Sequence, residues 1–247
     1  MESVNTETGF GGFVDNEVWA AVSSLEDRSW LILAIAVLPV PLTSAFFIAH
    51  SIATGTPSDA YGLPMAYLLY GLANVVTVGG LDVLLSPNER TAVFRLSRPS
   101  GTELGWAVGA FVVGFGVYEA TSRVSGALGY ELQGLSYSLN DPTTVAIIVL
   151  GAVVIAPITE EILYRGLILG VLLARGLGVL SAVVIMTVIF ALIHLPNFGI
   201  AGTLFISVWG LLPAILRLRF DDLSGAITMH GLNNVFAYLV VVGLGLA

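Results

Sequence analysis

The chain predicts an all-α fold, a polytopic transmembrane helical bundle of about seven spans, within a range of six to eight. Three observations carry this expectation. Hydrophobic residues make up 56% of the sequence and charged residues only 11%, where a soluble domain carries roughly 25% charged residues. Several stretches reach the ~20 apolar residues needed to cross the hydrocarbon core. The arginines, finally, fall almost entirely into alternate loops.

Taken in order, residues 1–28 form an acidic tail, with Glu2, Glu7, Asp15, Glu17, Glu26 and Asp27 against a single Arg28. A secretory signal needs a basic start and an immediate apolar run, so the tail is not expected to be one. A short surface helix is expected near residues 14–24. Residues 29–247 form the transmembrane domain, with spans near 30–50, 63–85, 104–121, 143–173, 180–195, 200–216 and 223–246. Pro39 and Pro41 lie in the first span. Pro157 lies in the long fourth span, where the lost backbone hydrogen bond is expected to bend or break the helix.

Seven spans place Arg28, Arg90, Arg95, Arg98, Arg175, Arg217 and Arg219 on one side and only Arg123 in a loop on the other. Basic loops stay in the cytoplasm. The expected localisation is therefore a multi-pass protein of the cell membrane, N-terminus inside and C-terminus outside. Cysteine is absent, which excludes disulfides and thiolate metal sites. All nine cations are arginine and the net charge is −8. This acidic, lysine-free style fits a salt-adapted, halophilic archaeal origin; a GC-rich genome favours the same residues. Nothing points to nucleic acid as a partner.

The chemistry concentrates in three segments. Glu160, Glu161 and Arg165 stand inside the apolar run APITEEILYRGLILG, His194 in FALIHL, and His230 with Asn234 in MHGLNN. A charge at bilayer depth costs at least ~2.5 kcal/mol on insertion scales, which makes such residues functional candidates. Adjacent helical residues point about 100° apart, so the two glutamates are expected to do different work. Glu161 and Arg165 share a face in the favourable order for an ion pair, leaving Glu160 for a cavity. The turn near Gly176–Gly178 is about 25 Å of helix from both Glu160 and His194, at ~1.5 Å per residue, so the two can meet at one depth. The same count puts His230 nearer the cytoplasmic end. His50, Tyr164, Phe190 and Trp209 are expected to be packing or interhelical residues. Asn234 alone would be interhelical glue.

In sequence order the pattern is EExxxR, FxxxH and HxxxN, carried by Glu160-Glu161-Arg165, Phe190-His194 and His230-Asn234. This resembles the CPBP family of intramembrane proteins: CAAX prenyl endopeptidases and bacteriocin-processing or immunity proteins, also called Abi proteins. The resemblance spans a core of about residues 143–240; residues 1–142 are similar only in being membrane spans. It implies an intramembrane endopeptidase acting on membrane-associated, in part lipidated, proteins or peptides. Glu160 would act as general base with His194 helping to activate water. His230 and Asn234 would donate to the oxyanion, the kind of stabilisation that usually carries the largest catalytic share. Glu161 and Arg165 would hold the helix and orient Glu160.

The cofactor is open between none and zinc. Glu160, His194 and His230 could bind the metal with a water in the fourth position, though no HExxH helix is present. Two other readings stand beside the peptidase. One is a non-catalytic scaffold or immunity-type binding protein. The other is a proton-coupled transporter, since intramembrane Glu, Arg and His also mark ion paths; against it, the chain shows no inverted repeat. Oligomeric state is not legible.

Overall fold

The computed structural model describes residues 22–57 and 61–246, all of whose regular structure is helical. Most of the expected surface helix at 14–24 lies outside the described residues; Ser23–Leu25 forms a single 3-10 turn. Five helical stretches are long and apolar enough to cross a membrane: Ser29–Thr54, Leu63–Leu84, Gly101–Ala127, Pro142–Ala174 and Leu195–Phe220. The shorter apolar helix Val179–Leu192 and the helix opening at Ser224 complete the seven expected segments.

The first stretch is two helices, α1 (Ser29–Ala36) and α2 (Pro39–Thr54), with Pro39 in the first turn of α2, where its missing N–H costs nothing. Next come α3 (Leu63–Leu84), the short α4 (Pro87–Val93) and α5 (Gly101–Ala127). α6 (Pro142–Ala174) is continuous rather than broken. Wide π-helical turns at Val149–Ile155 and Ile162–Ile168 flank the segment Ala156–Glu161, which contains Pro157. Local π adjustment re-satisfies backbone groups freed by a proline, and such turns are frequent at functional sites. α7 (Val179–Leu192), α8 (Leu195–Trp209), α9 (Leu211–Phe220) and α10 (Ser224–Val235, continuing as a π turn through Phe236–Val241) follow.

α6 is the hub. Every residue from Thr159 to Val171 is buried, as expected of a helix enclosed on all sides. α3, α4, α7 and α10 pack around it. The contact with α4 is backbone to backbone: a Cβ on Gly166 would collide with the Val93 carbonyl oxygen. Gly166→Ala must therefore displace a helix rather than a flexible side chain. The expected cost is at least that of an overpacked core, about 1–3 kcal/mol. Lower accumulation in membranes and a lower unfolding temperature in detergent check this.

One end of the bundle is tied by ion pairs that join the arginine-bearing loops. Arg28 pairs with Glu89, which also closes a capping box with Ser86 at the start of α4. Arg95 and Arg217 converge on Asp221, 2.5 and 2.6 Å away. Arg175 lies over the Trp30 ring. The buried Glu103 of α5 accepts from the Gly225 N–H at the start of α10. Burial pushes the Glu89 carboxyl up, but the Arg28 guanidinium and the Ser86 backbone hold it below its ordinary value. A depressed carboxylate contributes stability above its unfolded pKa, and that contribution is lost as pH falls through the folded value. Thermal unfolding in detergent should therefore show an acid-side loss of stability that Glu89→Gln reduces.

Candidate active site

Glu160 and Glu161 both lie in the segment between the two π turns and are 3% and 0% exposed. They part as the helical spacing requires. Glu161 Oε1 accepts from Arg165 Nη1 at 3.1 Å and from His230 Nδ1 at 2.8 Å. Arg165 reaches further, donating from Nη2 to the Gly210 carbonyl at 2.8 Å and lying 4.5 Å from the Phe190 ring centre. One fully buried ion pair thus binds α6 to the α8–α9 junction and to α7.

Glu160 takes no part in that pair. Its Oε2 faces His230 Nε2 across 3.7 Å, too long for a direct hydrogen bond and a separation that a shared water can bridge. His230 therefore stands between both glutamates. Counting from loop ends set His230 nearer one end of the bundle than Glu160, yet its ring reaches both glutamates. The turn before α10 is fastened by Leu223, which donates to the Arg95 carbonyl, and by Glu103, which accepts from the Gly225 N–H. Trp209 sets its ring edge-on to His230, 5.1 Å between centres, so this tryptophan packs against the site itself.

His194 is not inside a span. α7 ends at Leu192, and His194 occupies the tight turn before α8. With 14 residues, α7 rises about 21 Å, short of the ~30 Å hydrocarbon core. Gly199, at φ 62°, turns the chain beside the Gln133 side chain. His194 Nδ1 lies 2.7 Å from the Phe190 carbonyl, which can only accept. Nδ1 thus carries the proton, leaving Nε2 free in the neutral ring. Phe190 is the hub of the aromatic packing, with Tyr164 and His194 at 4.8 Å and His230 at 6.3 Å.

Asn234 shares a face of α10 with His230, and its Nδ2 donates to the Ala152 carbonyl at 2.8 Å. That carbonyl belongs to the first π turn of α6. One amide hydrogen of Asn234 is thereby committed and one remains.

Four tyrosines lie within electrostatic reach of Glu160: Tyr67 and Tyr70 of α3, Tyr164 of α6, and Tyr238 beyond α10. Tyr67 and Tyr238 meet edge to face at 4.9 Å, and Tyr137 donates to the Tyr238 carbonyl at 2.7 Å. The sequence reading passed over this wall. Its signal was present in α3, where Tyr67, Tyr70 and Asn74 recur at helical spacing in an otherwise apolar run.

The seven motif residues come from α6, α7 with its turn to α8, and α10: Glu161 holds Arg165 and His230, Glu160 lies beside His230, Phe190 packs on Arg165, His194 and His230, and Asn234 is tied to α6. Residues 142–236 match the family model described as type II CAAX prenyl endopeptidase, Rce1-like. The match agrees with the CPBP resemblance and contains every motif residue, while α1–α5 lie outside it. No curated protein and no solved structure matches the chain. At the level of the family, the Rce1-like region supports a CAAX-type protease in a membrane.

Among the described residues no three His, Asp or Glu side chains converge as a metal site. His230 and His194 each set Nδ1 against an acceptor, which leaves both Nε2 atoms open, but their side chains and that of Glu160 do not converge as a ligand set for zinc.

Proposed function

We propose that the protein is an intramembrane endopeptidase that hydrolyses peptide bonds of membrane-associated, including lipidated, proteins or peptides, with its arginine-rich end in the cytoplasm. The observation that carries this reading is the division of labour between the glutamates. Glu161 is neutralised by Arg165 and His230. Glu160 stands beside it, buried, outside that ion pair and 3.7 Å from His230.

In this reading Glu160 takes a proton from a water that also contacts His194 Nε2. The resulting hydroxide attacks the scissile carbonyl carbon. The tetrahedral oxyanion is met by His230 Nε2 and the second amide hydrogen of Asn234. Donation from Nε2 uses the doubly protonated ring, since Nδ1–H is held by Glu161. Glu160 then passes its proton to the departing nitrogen as the carbon–nitrogen bond breaks, so acid and base are one residue. Preorganised donors inside a water-poor site act far more strongly than they would in water.

The test uses the full-length protein in liposomes with a farnesylated peptide ending in Cys-aliphatic-aliphatic-X, run in ¹⁸O-labelled water. One ¹⁸O should enter the new carboxyl end, and turnover should survive chelator treatment. Intact peptide after long incubation would contradict the CAAX-type substrate class. Turnover abolished by chelator and restored by zinc would contradict the metal-free mechanism.

A further inference from the structure

α3 lies outside the Rce1-like region, carries none of the motifs, and yet packs on the turn of α6 that presents Glu160. Small residues bring the two backbones together. A Cβ on Gly71 would touch Ile155 Cγ2 at 3.3 Å, and one on Gly151 would touch the Tyr67 carbonyl oxygen at 3.0 Å. Crossings of this kind let side chains one turn away reach into the neighbouring helix. Tyr67, Tyr70, Gly71 and Asn74 share that face of α3 by helical spacing.

Asn74 is fully buried, and neither its amide oxygen nor its amide nitrogen has a hydrogen-bond partner. An unpaired amide in the bilayer interior costs several kcal/mol, and such exceptions call for an explanation. Tyr70 stands one turn before Asn74 on the face of α3 that packs on the Ala156–Glu161 segment, with the Glu160 carboxylate within electrostatic reach of its phenol.

We propose that Tyr70 is a positioning residue for Glu160, its hydroxyl donating to the carboxylate, and that Asn74 holds the Tyr70 phenol in place. This rests on the reading of Glu160 as general base. A donor from α3 fixes one carboxylate oxygen and leaves the other for water, and a base held within a narrow range of angles is the condition for efficient proton transfer. The reacting carboxylate is then held by a helix that the family motifs do not include.

The experiment compares wild type, Tyr70→Phe, Asn74→Leu and the double variant, full-length and in liposomes, on the farnesylated peptide. Tyr70→Phe removes one oxygen and leaves the ring packing intact. The expected result is a fall in kcat of roughly 10- to 100-fold, the range for a hydrogen bond to a charged group, with KM unchanged. The double variant should be no slower than the slower single one. An undiminished kcat in Tyr70→Phe, or losses that multiply in the double variant, would overturn the proposal.

An independent reading needs no substrate. The infrared carboxylate band that disappears in Glu160→Gln should shift in Tyr70→Phe; an unmoved band also overturns the proposal. A shifted band without peptide cleavage would support the positioning contact and count against the peptidase reading instead.

Discussion

Glu160→Gln is expected to abolish turnover while the protein still accumulates in the membrane. The substitution keeps the shape of a side chain that is only 3% exposed and removes its ability to accept and return a proton. General base catalysis contributes about 10²–10⁴-fold, so residual activity should fall by at least that range. Because the same carboxyl serves as acid for the leaving nitrogen, the upper end is expected. The neighbouring ion pair is untouched: Glu161, Arg165 and His230 keep their contacts without Glu160. Quantified immunoblots of purified membranes, together with turnover of the peptide, check both halves of the expectation.

Arg165→Ala is expected to do the opposite and remove the protein. Its guanidinium is sealed from solvent, pairs with Glu161, donates to the Gly210 carbonyl and covers the Phe190 ring. Deleting it leaves Glu161 buried with only His230 for a partner. Breaking a buried pair from one side costs about 3–5 kcal/mol, against a whole-domain stability of about 5–15 kcal/mol. Replacing both partners by apolar residues of similar volume is often neutral or stabilising. The pair Glu161→Leu with Arg165→Met is therefore expected to restore accumulation but not activity, since His230 loses the oxygen that holds its Nδ1. Unfolding temperatures of the three proteins in one detergent measure the difference.

The number and order of the membrane segments were legible because the bilayer accepts few solutions. Spans must be helices of sufficient apolar length, and the seven apolar runs correspond one to one with the helical segments. The Glu161–Arg165 pair was legible from i, i+4 spacing alone. The contacts between helices were not. Spacing within α10 says that His230 and Asn234 share a face, but not that His230 turns to Glu161 while Asn234 turns to Ala152. Those partners depend on how far each helix is rotated and how deep its turn sits. His194 was misplaced for the same reason: α7 ends at Leu192, and an apolar run does not reveal where a helix gives way to a turn. Tyr70 and Asn74 were overlooked because polar residues in a span read as glue until the neighbouring helix is known.

The central claim is that Glu160 drives peptide-bond hydrolysis inside the membrane. The most direct test is a survey of new peptide ends in membranes from cells expressing wild type or Glu160→Gln at equal levels. A set of ends found only with wild type, on membrane-associated proteins, is the predicted result. Identical end profiles from the two proteins would contradict the claim and favour a binding protein that retains the motifs without the chemistry.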